Sequence, residues 1–184
     1  MKKGLVIAFP TDTVYGLATP YDDNVGLERI NEIKKRSLKQ RVAVLCDSIN
    51  MIESLAYVSN DAKLLIQNFM PGAFTIILKS KKSYIEKTNE DTIGVRIPKH
   101  DMALKIIGKY GPLKTTSLNL HNEPPINSYS LILDKFSEVI DIIYEGIIVD
   151  EAMPSTVIDF TNIEYKIVRS GIVTKEMIDN VLIK

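Results

Sequence analysis

The segment LVIAFPTDTVYG, at residues 5–16, is the starting point of the fold that the sequence predicts. Its first five residues are apolar, which is typical of a short buried strand, and Pro10 begins a polar run. Thr11 and Thr13 lie two residues apart, so an extended backbone directs both hydroxyls to one side. Ligands of open α/β sheets bind beyond such strand ends. The segment therefore predicts a strand with a binding site at its end, although ordinary turn chemistry explains the same residues.

Short apolar runs and amphipathic stretches follow one another along the rest of the chain. The other predicted strands are 42–46, 74–78, 93–97, 113–116, 147–149, 156–160 and 165–169. The predicted helices are 25–35, 49–55, 61–69, 102–110, 130–139 and 175–182. This mixture predicts a layered α/β domain, and because the order is not a regular β-α repeat we expect a mixed sheet. The length of 184 residues suits one domain, so we predict a single domain over residues 1–184.

The composition is that of a globular protein, with 45% hydrophobic and 25% charged residues. The formal net charge of zero does not favour a nucleic-acid-binding protein. Cys46 is the single cysteine, so no intrachain disulfide can form, and we expect a buried core thiol in a cytoplasmic protein. No apolar run approaches the roughly 18 residues that a membrane-spanning helix needs.

The common catalytic and nucleotide signatures are missing from the sequence. It contains no Walker A motif, no Gly-x-Gly-x-x-Gly after a strand and no Gly-x-Ser-x-Gly elbow. Its two histidines and one cysteine do not have zinc-ligand spacing, so we expect no protein-bound metal. The sequence therefore favours neither an acyl-enzyme nor a metal-hydroxide mechanism.

Two cations stand at the end of the first predicted helix. Lys34 and Arg36 would diverge within a helix, so they can face one anion only if the helix ends there. Such a pair suits a triphosphate, although a solvated basic helix terminus explains it equally simply. Ser117 and Asn119 follow another predicted strand, with the same spacing as the two threonines.

Two arginines lie in apolar strands. Burying Arg96 or Arg169 without a partner would cost several kcal/mol, so each needs either a protein carboxylate or an anionic ligand. Ser155 opens another strand, where its hydroxyl either caps the backbone or binds a substrate. Tyr15 is either a core residue or a lid over a substrate, and the pattern does not separate these interpretations.

Taken together, these segments resemble the YrdC/TsaC family of L-threonylcarbamoyladenylate synthases over nearly the whole chain. The motifs that carry the resemblance are, in order, FPTDTVYGLA, IKKR, PGAFTIILK, GVRIPKH, TTSLN, PSTVIDF and IVRSGIV. Seven motifs in the family's order are far more than chance supplies. The chain departs from the family pattern at Ser37, Arg41, Ala73, Asn122 and Ser170.

The resemblance implies an open twisted mixed sheet flanked by helices, with a large concave basic cavity. It also implies two groups of site residues. The ATP-binding group is Lys34 and Arg36, which are also the catalytic pair, with Ser117, Asn119 and Arg169. The threonine-binding group is Thr11, Thr13, Tyr15, Arg96, Thr115 and Ser155.

By the same resemblance, the chain would condense L-threonine, bicarbonate or CO2, and ATP, with Mg2+ held mainly by the phosphates. A separate threonylcarbamoyl transferase would carry the product to an adenosine of tRNA. One alternative is a non-catalytic RNA-binding module of the same fold, because basic clusters could follow a phosphate backbone. Another is a carbamoyl-adenylate domain like those of hydrogenase-maturation proteins.

Overall fold

A single sheet organises the chain. The computed structural model describes residues 2–35, 40–120, 123–148 and 154–182. The strands in these ranges are β1 Ile7–Phe9, β2 Gly16–Pro20, β3 Ala43–Leu45, β4 Phe74–Lys79, β5 Thr92–Arg96, β6 Leu113–Ser117, β7 Ile142–Ile143, β8 Thr156–Asp159 and β9 Lys166–Arg169. They form one nine-stranded sheet in the order β7-β1-β2-β6-β3-β5-β4-β8-β9.

The sheet is mixed, which confirms the predicted fold class. The pairs β1–β7, β3–β5 and β4–β8 are parallel, and the other neighbouring pairs are antiparallel. Gly16 of β2 pairs with Phe9 on one side and Ser117 on the other. The carboxyl ends of β1 and β6 therefore lie at the same edge of the sheet.

Helices cover the two faces of the sheet unequally. They are α1 Asn24–Ile33, α2 Ile49–Leu55, α3 Asn60–Phe69, α4 Lys82–Thr88, α5 Asp101–Tyr110, α6 Tyr129–Phe136 and α7 Lys175–Leu182. Val44 of β3 packs with buried residues of α2, α3, α4 and α7, whereas its neighbour Leu45 points to the other face and packs against α5. Among the described helices, α5 alone contributes buried residues to the core on that second face. Much of this face is therefore left uncovered.

Three of the observed elements were not predicted. Strand β2 contains a glycine and a proline, which are depleted in strands, but all five of its residues are buried between β1 and β6. Helix α4 buries only Tyr84, so its sequence carries little amphipathic signal. Strand β7 has two residues. The predicted strand 147–149 was wrong at residues 147 and 148, which are irregular, and residue 149 lies outside the described ranges.

The first helix ends where the predicted cation pair requires. Helix α1 stops at Ile33, Lys34 is its C-cap, and Lys35 has a left-handed φ of 51°. Arg36 lies outside the described residues. Across the described ranges, no helix combines the length and the apolar character needed to cross a membrane.

Candidate functional site

The uncovered face of the sheet forms a cavity of about 610 Å³. Its floor is visible in the burial pattern of the central strands. Ala43, Ile77, Gly94, Thr115 and Val157 lie in inner strands, yet each is only partly buried, while most of their neighbours on the opposite face are buried. The volume lies within the range of ligand-binding pockets. One face of the sheet is therefore open to a small molecule.

Gly94 leaves space at the centre of this floor. A Cβ atom on this residue would lie 3.7 Å from Ile77 Cγ1 and 3.7 Å from Thr75 Cγ2, which is ordinary van der Waals contact. Both neighbours line the cavity, so a side chain at position 94 would project into it. The absence of a side chain here gives room to a ligand rather than relieving a steric conflict within the protein.

At one end of the cavity, Arg96 is held by three acceptors. Its Nη2 donates to Asp12 Oδ1 at 2.6 Å, its Nη1 to Thr13 Oγ1 at 3.2 Å, and its Nε to Gly72 O at 3.0 Å. Of the two predicted alternatives, a protein carboxylate or an anionic ligand, the structure supplies the first, Asp12. Burial lowers the pKa of the Arg96 guanidinium from its ordinary value, and the attraction of Asp12 opposes this effect. These bonds fix the orientation of the guanidinium, and Arg96 lines the cavity.

Arg169 approaches the same region from strand β9. Its Nη2 donates to Ser155 Oγ at 2.7 Å and its Nε to Ser155 O at 3.0 Å, and Ser155 Oγ lies 3.3 Å from Thr75 Oγ1. Within the described ranges, no carboxylate forms an ion pair with Arg169. The positive charge of Arg169 contributes to the lowered pKa of Arg96, so the two guanidinium groups are close enough to repel each other. An anion bound beside both would relieve that repulsion.

A glycine keeps Ser155 in this position. A Cβ atom on Gly171 would lie 2.3 Å from Pro154 O and 2.5 Å from Thr156 N, which backbone atoms cannot accommodate. Only glycine lets the chain after β9 pass so close to the start of β8. The close approach places the arginine of β9 against the serine hydroxyl.

Lys34 lies behind the end of strand β6. It is only 3% exposed, and its Nζ donates to Ser117 O at 2.5 Å, Asn119 O at 3.0 Å and Asn119 Oδ1 at 2.6 Å. Ser117 Oγ also donates to Asn119 Oδ1, at 2.6 Å. Ser117 lines the cavity, so this network fastens the cavity wall to the end of helix α1.

The remaining predicted residues divide between the cavity wall and the core. Thr11, Thr13 and Thr115 line the cavity, and the Oγ1 atoms of Thr11 and Thr13 are 3.2 Å apart. Tyr15 is fully buried and its hydroxyl lies 3.0 Å from both Tyr144 O and Gly146 O. Burial raises the pKa of Tyr15, so the phenol remains protonated at neutral pH. The structure thus places Tyr15 in the core, and its predicted contact with threonine remains a prediction.

Seven of the predicted site residues line one cavity. They are Thr11, Thr13, Arg96, Thr115, Ser117, Ser155 and Arg169. Arg169 belongs spatially with Ser155 and Arg96, which the resemblance assigned to threonine, rather than with Ser117 and Asn119. Cys46 is buried in the core, as predicted.

Six further cavity-lining residues carry polar or charged groups that the sequence did not assign to a site: Arg41, Thr75, Glu90, Thr92, Thr116 and Asp159. Thr75 lies in the PGAFTIILK motif, so the sequence could have assigned it to the site. With two carboxylates facing three arginines in the described lining, a strongly basic cavity remains a prediction. In the described part of the chain, no three His, Cys, Asp or Glu side chains come together as metal ligands do.

Comparison with known proteins identifies relatives that match this chain over most of its length. The family model Sua5_yciO_yrdC, described as "Telomere recombination", matches residues 1–171. A threonylcarbamoyl-AMP synthase of Pyrococcus abyssi is 31% identical over 187 residues, covering 99% of this chain and 55% of that protein. The chain thus spans about half the length of this relative.

Two solved structures share the fold. The structure of P. abyssi Sua5 complexed with L-threonine superposes with a TM-score of 0.86 at 32% identity, covering 97% of this chain and 54% of that one. Escherichia coli YciO superposes with a TM-score of 0.80 at 31% identity, covering 92% of this chain and 84% of that one.

Proposed function

Because the chain belongs to the Sua5/YciO/YrdC family, we propose that it makes L-threonylcarbamoyladenylate from L-threonine, bicarbonate or CO2, and ATP. The observation that carries the proposal is the convergence of Arg96 and Arg169, with the hydroxyls of Thr13, Thr75 and Ser155, at one end of the cavity. Two cations beside three hydroxyls suit a small molecule that has a carboxylate and hydrogen-bonding groups. L-Threonine is such a molecule, and the P. abyssi relative has been crystallised with it.

In this proposal the two arginines have complementary tasks. Asp12 and Gly72 fix the plane of the Arg96 guanidinium, which can then present its outer N–H groups to the carboxylate of threonine. Arg169 supplies a second cation beside the same position and needs an anion nearby. Carrying the family's assignments over, Thr11, Thr13 and Thr115 complete the threonine site, and Lys34, Arg36, Ser117 and Asn119 serve the nucleotide.

The chemistry needs no covalent nucleophile from the protein. The neutral amine of threonine adds to the carbon of CO2 and loses a proton, which gives a carbamate. A carbamate oxygen then attacks the α-phosphorus of ATP, the bond to the β-phosphate oxygen breaks, and pyrophosphate leaves. Positioning and neutralisation of the developing charge contribute most of the catalysis in such transfers. In this proposal Mg2+ arrives with ATP and is bound mainly by phosphate oxygens.

ATP–pyrophosphate exchange with the purified chain tests the proposal. Adenylate formation is reversible, so labelled pyrophosphate should enter ATP only when threonine and bicarbonate are both present. Exchange without threonine, or none at all, would contradict the proposed activity. Tight, salt-sensitive RNA binding without exchange would instead support the RNA-binding module. Addition of a threonylcarbamoyl transferase and tRNA then tests whether the product is used for tRNA modification.

A further inference from the structure

A buried lysine, a glutamate and a tyrosine form a network that none of the proposed substrate contacts uses. Lys114 lies in strand β6 with its side chain 2% exposed, and its Nζ donates to Glu90 Oε1 at 2.9 Å. The hydroxyl of Tyr84 donates to Glu90 Oε2 at 2.7 Å. A buried ammonium needs a partner of opposite charge, and Glu90 is that partner. This requirement explains Lys114, but it does not explain why Glu90 also lines the cavity.

The network gives Glu90 a fixed orientation. Tyr84 is buried and stacks on Tyr21, with ring centroids 5.6 Å apart and planes 12° from parallel. Burial raises the pKa of Tyr84, so its hydroxyl remains a donor to the carboxylate. Each carboxylate oxygen can accept more than one hydrogen bond, so one bond to each oxygen leaves accepting capacity. Lys114, paired with Val44, and Tyr84 both lie on the covered face, whereas Glu90 also lines the cavity with its side chain 20% exposed. Glu90 is therefore a rigid acceptor at the edge of the sheet, between the covered face and the cavity.

The sheet register places this acceptor at the end where the nucleotide is expected. Val44 of β3 pairs with Lys114 in the antiparallel direction and with Val95 in the parallel direction. The amino end of β5 therefore lies at the same edge of the sheet as the carboxyl end of β6, where Ser117 stands. Glu90 lies two residues before the start of β5 and so lies at this edge, whereas Arg96 ends β5 on the threonine side.

An ionised carboxylate accepts hydrogen bonds and repels phosphate, so its natural partner in ATP is a donor on the nucleoside. We propose that Glu90 is a specificity-determining residue that accepts a hydrogen bond from the nucleoside, either from a ribose hydroxyl or from the exocyclic amine of adenine. This inference rests on the proposed function, because it assumes that ATP occupies the cavity. Lys114 neutralises the carboxylate, which lets an acceptor stand near a triphosphate with little net repulsion.

Nucleotide discrimination measured by calorimetry tests the role of Glu90. We expect ATP to bind about tenfold more tightly than the analogue that lacks the donor, because in the complex with that analogue the Glu90 carboxylate loses its hydrogen-bond partner, which is costly. Loss of affinity with 2′-deoxy-ATP or 3′-deoxy-ATP identifies a ribose hydroxyl, and loss with inosine triphosphate identifies the amine. Equal affinity for ATP and all three analogues in the wild-type chain would overturn the inference.

Variants separate recognition from a structural role. Glu90→Met/Lys114→Met removes both charges, so it should remain folded, and we expect it to bind ATP and the analogue equally. Lys114→Met alone retains the acceptor and should retain the discrimination, even if ATP binds more weakly. The inference is wrong if the double variant discriminates like the wild type, or if Lys114→Met loses discrimination to the same extent.

Two further variants complete the design. Glu86→Gln removes an exposed carboxylate whose ion pair among the described residues is with Lys82, and it should leave discrimination unchanged. If the double variant fails to fold, Glu90→Gln replaces it, because its amide oxygen can keep the bond to Lys114 while the NH2 group replaces the second acceptor. Nucleotide binding is measured without threonine, so it does not depend on synthase activity. A chain that discriminates between nucleotides but shows no ATP–pyrophosphate exchange would therefore refute the proposed synthase and not the role of Glu90.

Discussion

Substitution of Gly94 tests whether the floor of the cavity is where the substrates bind. Because a Cβ at this position would lie 3.7 Å from its nearest neighbours, Gly94→Ala and Gly94→Val add atoms to the cavity without a clash at Cβ. Glycine inside a strand is less favourable than alanine by about 0.5–1 kcal/mol, so the free energy of unfolding should stay constant or rise. The same added atoms reduce the space for a ligand.

The expected loss of affinity follows from the cost of overfilling a packed site, which is about 1–3 kcal/mol. This corresponds to a roughly 5- to 150-fold weaker binding of substrate by Gly94→Val, with a smaller effect for Gly94→Ala. Calorimetric titration with threonine and ATP, together with thermal unfolding, measures both quantities. Gly108→Ala is the control, since Gly108 lies in α5 with Asp47 Oδ2 as the nearest atom, 3.9 Å from an added Cβ. Wild-type substrate affinity in a folded Gly94→Val variant would refute our assignment of the cavity.

Three other predictions concern single side chains. Arg96→Lys keeps the charge but loses the planar guanidinium fork, so we expect the threonine KM to rise by about fivefold or more and the ATP KM to stay within about twofold. Titration of each substrate in the exchange assay measures both values, and a larger effect on the ATP KM would contradict the assignment. Lys34→Ala should lower adenylate formation by about tenfold or more and destabilise the fold by about 2 kcal/mol, because buried acceptors lose a charged donor. Wild-type turnover would exclude the catalytic role, and an unchanged denaturation midpoint would exclude the structural role. Burial and the nearby Asp47 charge raise the pKa of Cys46, so iodoacetamide should label the thiol only after denaturation, as mass spectrometry can show, and rapid labelling of the folded chain would contradict its burial.

The elements that the sequence predicted correctly are those whose local pattern agrees with their environment. Strand β4 is an apolar run, and helices α2 and α7 have the predicted bounds because their apolar residues recur at helical spacing. Strand β2 was missed because its burial comes from two neighbouring strands that are distant in sequence, and no local pattern reports them. Pairing that is non-local in this way can override weak intrinsic propensity.

At the candidate site too, the sequence identified residues that need a partner but not the partners themselves. The rule that a charged residue in an apolar strand needs a partner identified Arg96 and Arg169, but Asp12 lies 84 positions from Arg96 and only the folded chain brings them together. The same rule applied to Lys114 would have predicted an acidic partner and led to Glu90. What the sequence could not supply is the face of the sheet that α5 leaves uncovered, since that depends on where all the helices pack.

The described contacts also imply how the cavity is prepared for its ligands. Arg96, in the cavity lining, is held by three acceptors of the protein, and Lys34, behind the cavity wall, by at least three, so contacts within the protein orient both cations. Because folding already orients these side chains, less conformational entropy is lost when a ligand binds. Arg169 bonds only to Ser155 among the described residues, so it retains more capacity for a ligand anion than Arg96 does. Binding of that anion should therefore order Arg169 more than it orders Arg96.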